Sequence, residues 1–398
     1  MLQEEPAWPE SDDHSMRNKR TGIFTVCYFA YLFIYVARLN LSMAAPGLKD
    51  LQILSMEQIG ILGSVFSIVY ACGRLLSGIL SDRVAPWKMI SAGLLLCGVS
   101  NLCFSFFPPF AAILLLWSVN ALAQSMLWGS ILRILSAIYP PAESKKRASY
   151  MATTVASGNL VGILLNSALI SRFGLSWAFL IPGGITLVLS LLVVCNARPI
   201  QPSVQQTGKR PFAGLLKIPS IRQMLMPALF HGVLKDNISL WMAVYVMDVF
   251  GVNLEQSSYY ILLIPILGFL ARMLAPELYG LAGEREKVVL AWGFAACVGC
   301  SLLLVFLAAA PWLAILYLSL TYMAVSVMNA CFLSFFPLQF AREGTVASVS
   351  GIMDFATYLG TGISSMVFGV MIEDYGYGAM FVTWAVICGI GFLLQCRK

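Results

Sequence analysis

The chain has 398 residues, of which 59% are hydrophobic and 11% charged, and its mean hydropathy is +0.82. About a quarter of the residues of an average soluble domain are charged. This composition therefore excludes a water-soluble globular protein and indicates a membrane protein whose solvent is the lipid bilayer. The net charge of +6 reflects orientation in the membrane, and nothing in the sequence indicates binding to nucleic acid.

Twelve apolar runs follow one another along the chain, bounded by charged residues, Pro and Gly. A helix of about 20 residues crosses a hydrocarbon core of about 30 Å, so each run predicts a transmembrane helix. The polar start of the chain predicts no cleavable signal peptide. The predicted spans are 22–46, 56–80, 88–107, 110–138, 148–172, 176–197, 221–249, 256–281, 287–309, 312–339, 345–372 and 377–396.

The spans divide the chain into two sets of six. We expect an N-terminal tail at 1–21, a six-helix bundle at 22–197, a linker at 198–220 with a short interfacial helix near Pro211–Ile218, and a second bundle at 221–398. Most Lys and Arg residues outside the spans lie on one side of the membrane. The positive-inside rule then places both termini and the linker in the cytoplasm, with the chain in the cytoplasmic (inner) membrane.

The two halves repeat one another. Arg38 recurs as Lys235 after 197 residues, while Arg74 recurs as Arg272 and Gly162 as Gly360 after 198. Rare charged residues do not recur at one offset by chance in apolar sequence. We therefore predict an all-α membrane protein of twelve transmembrane helices in two pseudo-symmetric bundles, with a solute site near the midplane between them.

Charged residues inside spans are costly in lipid and mark functional sites or ion pairs. Arg38 and Lys235 occupy equivalent positions in the first and seventh spans, so they are predicted to converge on one cavity and bind an anion. The alternative is that each pairs with an intramembrane carboxylate, for which Asp236 and Asp354 are the candidates. Arg74 either lines the cytoplasmic half of the cavity or extends its side chain to the membrane surface.

Several polar residues are candidates for completing the site. Asp354 either carries a proton or remains ionised beside Lys235, and His231 either relays protons or serves packing. Each of a further set either contacts the solute or packs helices, and Gln124 and Trp128 are predicted to share one helix face because they are four residues apart. The further set is Gln124, Trp128, Asn159 and Tyr358.

Asp82 and Arg83 end the second span in the sequence Gly-Ile-Leu-Ser-Asp-Arg. An acidic-basic pair at the cytoplasmic end of a helix rich in small residues suits a gate that holds two helices together in one state. Cys297 and Cys300 form a CxxC pair inside an apolar helix, where small buried side chains are expected. No metal or cofactor site is predicted.

These residues resemble a known group. The sequence GILSDR resembles the signature of the major facilitator superfamily, and the chain is similar more specifically to the organophosphate:phosphate antiporter family. The likeness extends over residues 20–396. Its motifs are Arg38–Asn40, Ser67–Tyr70 with Arg74 and Ser81–Arg83, Gln124–Trp128 with Arg133, and Gly351–Gly360.

The resemblance implies specific roles for residues in this chain. Arginines of the first and seventh helices bind the phosphoryl group in that family, and they correspond to Arg38 and Lys235. Other family positions fall on Arg74, Trp128 and Tyr358. The chain departs from the pattern in four places: Lys235 replaces an arginine, Leu39 replaces a second basic residue, Gly158 replaces a histidine, and Asp236 adds a negative charge.

The sequence therefore predicts a secondary active transporter, and not an enzyme, because it contains no catalytic constellation. The expected solute is a phosphorylated metabolite exchanged for inorganic phosphate by alternating access, and the expected state is a monomer in the lipid bilayer. One alternative is a proton-coupled transporter of carboxylates or drugs. An alternative of another class is a membrane-bound anion sensor that performs no net transport.

Overall fold

A computed structural model describes residues 14–197, 212–251 and 263–396. Within these ranges the chain is helical and contains no strand. The helices are α1 His14–Asp50, α2 Met56–Ser81, α3 Pro86–Phe104, α4 Phe110–Ser125, α5 Leu127–Ile138, α6 Pro141–Ala152, α7 Thr154–Phe173, α8 Trp177–Ala197, α9 Phe212–Leu215, α10 Pro219–Lys235, α11 Asn237–Phe250, α12 Leu263–Leu281, α13 Glu286–Phe306, α14 Pro311–Ala330, α15 Phe336–Leu338 and α16 Val346–Cys396.

These helices form twelve membrane spans in two bundles, which confirms the predicted architecture. Nine stretches of the described chain are long and apolar enough to cross a membrane by length and composition alone. Four spans consist of consecutive helical pieces: α4 with α5, α6 with α7, α10 with α11, and α14 with α15 through a π-helical turn at Cys331–Phe335.

The boundaries differ from the predicted ones in several places. Helix α1 begins at His14, inside the predicted N-terminal tail, and α6 begins at Pro141, ahead of the predicted fifth span. The predicted seventh span is interrupted at Asp236, between α10 and α11. The range α16 contains the predicted eleventh and twelfth spans as two helices that meet at a kink, where Gly376 adopts a φ of 77°. That conformation suits glycine because it has no Cβ to clash with the backbone. The predicted start of the eighth span, residues 256–262, lies outside the described residues.

Each bundle is held together by close helix contacts at small residues, as is usual where helices pack in lipid. In the N-terminal bundle, a Cβ atom added at Gly162 would lie 3.2 Å from the Val36 Cα atom of α1. In the C-terminal bundle, a Cβ atom at Gly360 would lie 2.1 Å from the carbonyl oxygen of Leu229 in α10. The repeated glycines therefore make equivalent close contacts in the two halves.

The two halves approach each other closely between α2 and α16, on the side predicted to be cytoplasmic. A Cβ atom added at Gly78 would lie 2.6 Å from the carbonyl oxygen of Ala347, and one at Gly351 would lie 2.5 Å from the carbonyl oxygen of Arg74. These distances leave no room for a side chain. The halves are thus packed backbone to backbone on this side of the central residues.

Candidate functional site

Arg38 lies in the middle of α1, against a wall of aromatic rings. Its guanidinium carbon is 4.6 Å from the ring centroid of Phe66, 4.9 Å from that of Tyr70 and 6.0 Å from that of Tyr35. A cation over a ring face is attracted by the negative charge of the π system. These contacts hold the guanidinium in place without cancelling its charge.

Lys235 ends α10 in the other half and contacts the same aromatic group. Its Nζ atom lies 4.4 Å from the ring centroid of Tyr358, and Tyr358 lies edge-on to Tyr70 with 5.3 Å between ring centroids. Tyr358 also acts electrostatically on Arg38. The Tyr70–Tyr358 pair therefore connects the two cations across the seam between the halves.

Neither cation forms an ion pair with any residue that the structure describes. Asp236 follows Lys235 directly and acts on it electrostatically, as does Asp354, but neither carboxylate comes within ion-pair distance of the Lys235 ammonium. Both Arg38 and Lys235 are half-buried. This arrangement leaves positive charge available to an anion, as predicted if the two cations bind a solute.

Arg74 and Asp354 form a buried ion pair instead. The Nε atom of Arg74 donates a hydrogen bond to Asp354, and both side chains are 3% exposed. The Nη1 atom of Arg74 donates to the carbonyl oxygen of Ser125 at 3.4 Å. Of the two placements left open for Arg74, extension of its side chain to the membrane surface does not occur, because Asp354 of the other half pairs with the guanidinium inside the protein.

Gln124 and Trp128 lie near the centre of the fourth span but contact different partners. The Nε2 atom of Gln124 donates to Asn120 within α4 at 3.2 Å. The Nε1 atom of Trp128 donates to the carbonyl oxygen of Leu333, in the other half, at 3.0 Å. Between them the helix is interrupted at Met126. Trp128 therefore lies at the seam, while Gln124 hydrogen-bonds inside the N-terminal bundle.

Two further predicted residues, His231 and Asn159, lie in the seventh and fifth spans. His231 is fully buried, and its Nε2 atom pairs with the carbonyl oxygen of Val325 at 3.1 Å. Its ring lies 5.3 Å from that of Phe332, an arrangement typical of a packing residue. Asn159 on α7 is half-buried.

Asp82 binds the beginning of α16. Its carboxylate accepts hydrogen bonds from the backbone N–H groups of Ala347 at 3.0 Å and Ser348 at 2.7 Å. A helix N-terminus carries unpaired N–H groups and partial positive charge, so a carboxylate is favourable there. Arg133 lies 3.8 Å from Asp82, whereas Arg83 is exposed. The contact joins the second span to the eleventh, across the seam.

Burial changes the pKa of the Asp82 carboxylate. Desolvation raises the pKa of Asp82 from 3.8 to about 6, although the hydrogen bonds from Ser348 and Ala347 and the charge of Arg133 all act in the opposite direction. Asp82 lies just beyond the end of α2, and its side chain is 8% exposed. The carboxylate therefore titrates nearer to neutral pH than an ordinary aspartate.

Sequence reasoning did not single out the aromatic residues that hold Arg38. Tyr70 is four residues before Arg74 and so lies on the same face of α2, which was the available signal. The structure also explains one departure from the family pattern. A Cβ atom at Gly158, where the family has a histidine, would lie 2.7 Å from the carbonyl oxygen of Leu32 and from the Cβ atom of Tyr35, so α1 fills that space.

Some known proteins align with nearly the whole chain, and others align with about half of it. Over 199 residues the chain is 28% identical to the probable hexose phosphate transport protein of Chlamydia muridarum, an alignment that covers 49% of this chain and 43% of that protein. The chain is 23% identical to the membrane sensor protein UhpC and 23% identical to the phosphoglycerate transporter protein, both of Salmonella typhimurium. These alignments cover 96% of this chain, with 92% of the sensor and 90% of the transporter.

Solved structures share the fold. The fucose transporter FucP in the outward conformation has a TM-score of 0.76 at 16% identity, with 94% of this chain and 99% of that chain covered. The human organic anion transporter MFSD10 has a TM-score of 0.76 at 17% identity, with the same coverage. The fold and site together define a polytopic membrane protein with two six-helix bundles and basic residues at their common seam.

The chain belongs to the Major Facilitator Superfamily, whose model matches residues 27–355. Its curated relatives include hexose phosphate, phosphoglycerate and glycerol-3-phosphate transporters and the sensor UhpC. The resemblance to the organophosphate:phosphate antiporter family is therefore confirmed.

Proposed function

We propose that the protein is a secondary transporter of the cytoplasmic membrane that exchanges a small phosphorylated organic anion for inorganic phosphate. The observation that carries the proposal is the placement of Arg38 and Lys235. The two cations come from opposite halves, meet at the Tyr70–Tyr358 pair, and have no ion-pair partner among the described residues. A doubly charged phosphate group would balance the positive charges of Arg38 and Lys235.

Alternating access follows from the position of these cations on different halves. An anion that contacts both residues binds most tightly when the halves are close around it, and a ligand shifts a conformational equilibrium by its differential affinity for the states. Without the anion, the repulsion between the two positive charges opposes closure. Binding of either the phosphorylated solute or inorganic phosphate therefore lowers the barrier between the two orientations, which favours exchange.

The relatives support this class of solute. Several of those named as transporters carry hexose phosphate, phosphoglycerate or glycerol 3-phosphate, and each of these solutes contains a phosphate monoester. A further relative is named as a probable sulfoacetate transporter, whose solute is also a small organic anion. The orientation of the termini toward the cytoplasm and the monomeric state belong to the same proposal. The asymmetric distribution of Lys and Arg supports the orientation.

The test is uptake of radiolabelled glucose 6-phosphate or glycerol 3-phosphate into proteoliposomes loaded with inorganic phosphate. We expect uptake that persists in the presence of a protonophore and falls at least about tenfold in Arg38→Ala and Lys235→Ala, because a hydrogen bond to a charged group contributes about 1.5–3 kcal/mol. Lys49→Ala, which removes an exposed cation outside the bundle core, is the matched control and should transport normally. Full uptake by Arg38→Ala overturns the proposal, and sensitivity to the protonophore favours proton-coupled transport of carboxylates or drugs.

A second candidate function is sensing, since a full-length relative is the membrane sensor UhpC. A sensor would use the same two cations to bind the anion, and the closed contacts on the predicted cytoplasmic side would report occupancy. Saturable phosphate binding to purified protein, together with no flux in the loaded proteoliposomes, is the result that would favour the sensor.

A further inference from the structure

Arg272 is the repeat equivalent of Arg74, but it lacks the partner that Arg74 has. It lies in α12 and is 6% exposed, and its Nε and Nη1 atoms have no hydrogen-bond partner in the described part of the chain. An arginine does not lose its proton in a protein, so its charge persists. A buried charge without a partner is strongly unfavourable, so a guanidinium with two unpaired donors among the described residues is suited to bind an anion.

The internal repeat explains why the partner is missing. Arg74 pairs with Asp354 of α16, and the residue 198 positions before Asp354 is Ala156 of α7. Gly162 and Gly360, six residues further along the same two helices, make equivalent close contacts. The repeat position that corresponds to the carboxylate of Asp354 is thus occupied by the methyl group of Ala156.

A cleft lies next to Ala156, the repeat equivalent of Asp354. This cleft of about 240 Å³ lies between α7 and α12 at the seam between the halves. Its lining on α12 includes Phe269, three residues before Arg272 and therefore adjacent to it on the helix surface. The lining residues are Ala156, Ser157, Leu160, Ile266, Phe269 and Leu270.

Arg272 forms no ion pair with any residue in the described ranges. Its Nη1 atom would lie 3.1 Å from a Cβ atom added at Gly268, and the same Cβ atom would lie 2.7 Å from the Cε1 atom of Tyr322 in α14. The guanidinium therefore extends back along α12 on the side of Gly268.

We propose that Arg272 is a second anion-binding residue, which receives a phosphate or carboxylate group of a small organic anion at the seam between α7 and α12. The inference deepens the proposed function, since it takes the ligand to be an anion of the same class. The apolar lining of the adjacent cleft suits a solute whose acidic group is attached to an apolar part. Rocking of the two halves would expose Arg272 to such a solute.

The test measures how inorganic phosphate raises the melting temperature of the purified full-length protein in nanodiscs of neutral lipid. A protein that retains only the Arg272 site should still respond to phosphate, because ligands that bind the folded state stabilise it. We therefore expect a residual response in the double variant Arg38→Gln/Lys235→Gln and none when Arg272→Gln is added to it. Equal responses in these two variants overturn the inference.

A second variant keeps the test decisive if Arg272→Gln fails to fold. Ala156→Asp restores the missing carboxylate while leaving Arg272 in place. We expect a higher melting temperature without phosphate, and a loss of the residual phosphate response when Ala156→Asp is combined with Arg38→Gln/Lys235→Gln. An unchanged response in that combination overturns the inference.

Two further comparisons separate the possible outcomes. A phosphate response that disappears when the nanodiscs contain phosphatidylglycerol would identify a lipid phosphate as the occupant and overturn the assignment to a solute. Failure of the proposed function appears elsewhere, as unimpaired uptake by Arg38→Ala, and does not alter the melting-temperature comparison.

Discussion

Arg74 and Asp354 form a buried ion pair that joins the two halves of the protein. Besides joining the halves, the pair determines which positive charges remain unpaired at the candidate site. Asp354 acts electrostatically on Lys235, yet its hydrogen bond goes to Arg74. The aspartate is therefore committed to one cation, and Lys235 and Arg38 remain without a direct carboxylate partner among the described residues. The pairing thus both closes the seam and preserves the charge of the site.

Asp354→Asn should strongly destabilise this closed arrangement. Removing one partner of a buried ion pair costs about 3–5 kcal/mol because the other charge remains buried and unpaired. We expect a lower melting temperature for Asp354→Asn than for the double variant Arg74→Gln/Asp354→Asn, in which no charge is left behind. A double variant that is destabilised by the sum of the two single effects would contradict a direct interaction.

Tyr358 should matter through its ring more than through its hydroxyl group. The ring lies against Lys235, and a cation–π contact contributes about 0.5–2 kcal/mol. We expect Tyr358→Ala to raise the KM for a phosphorylated solute severalfold, and Tyr358→Phe to raise it less. Tyr375→Ala, which removes an exposed tyrosine from the same helix, should leave the KM unchanged. Equal effects of the Phe and Ala variants would assign the contribution to the hydroxyl group.

The number of spans and the repeat could be predicted because hydropathy and recurring charge are local properties of the sequence. The break at Asp236 could not, since it does not change the hydropathy of the seventh span. Similarly, Gln124 and Trp128 were predicted to share a face from their spacing, but the interruption at Met126 and the neighbouring helices give them different partners.

Only the part of the candidate site that the internal repeat indicates could be predicted from the sequence. Arg38 and Lys235 were found because they occupy equivalent positions in the two halves. The pairing of Arg74 with Asp354 joins residues 280 positions apart, and it depends on which helices of opposite halves lie side by side. Sequence periodicity does not carry that information, so Arg38 and Lys235, and not Arg74, were the candidate partners for Asp354.

Gly351→Ala should open the predicted cytoplasmic side. The added methyl group would lie 2.5 Å from the backbone carbonyl oxygen of Arg74, and backbone cannot move away as a flexible side chain can. Gly362→Ala in the same helix meets open space and is the matched control, since alanine is favoured over glycine by about 0.5–1 kcal/mol within a helix. We expect a longer distance between spin labels at Lys88 and Arg342 for Gly351→Ala only. Equal distances in both variants would show that the α2–α16 contact does not hold the halves together.

The contact of Asp82 with the start of α16 should depend on pH. In the closed state the pKa of Asp82 is about 6, raised chiefly by desolvation. If separation of the halves exposes the carboxylate, its pKa returns toward 3.8, so the closed state binds the proton more tightly than the open one. Acidification through the range from about pH 6 to 4 should therefore favour the closed state, by roughly ten- to a hundredfold, because one pKa unit is a factor of ten.

The same pair of spin labels at Lys88 and Arg342, both exposed, can measure this shift once the exposed native cysteines are replaced. Above about pH 6 the carboxylate is ionised in both states, and the distance distribution should not change with pH. Below it, the population with a short distance should grow. Asp82→Asn cannot titrate and should remove the pH dependence in this range, since the amide stays uncharged in both states. A wild-type profile that matches that of Asp82→Asn, or that shows more of the open state in acid, would mean that Asp82 does not control the contact through its charge.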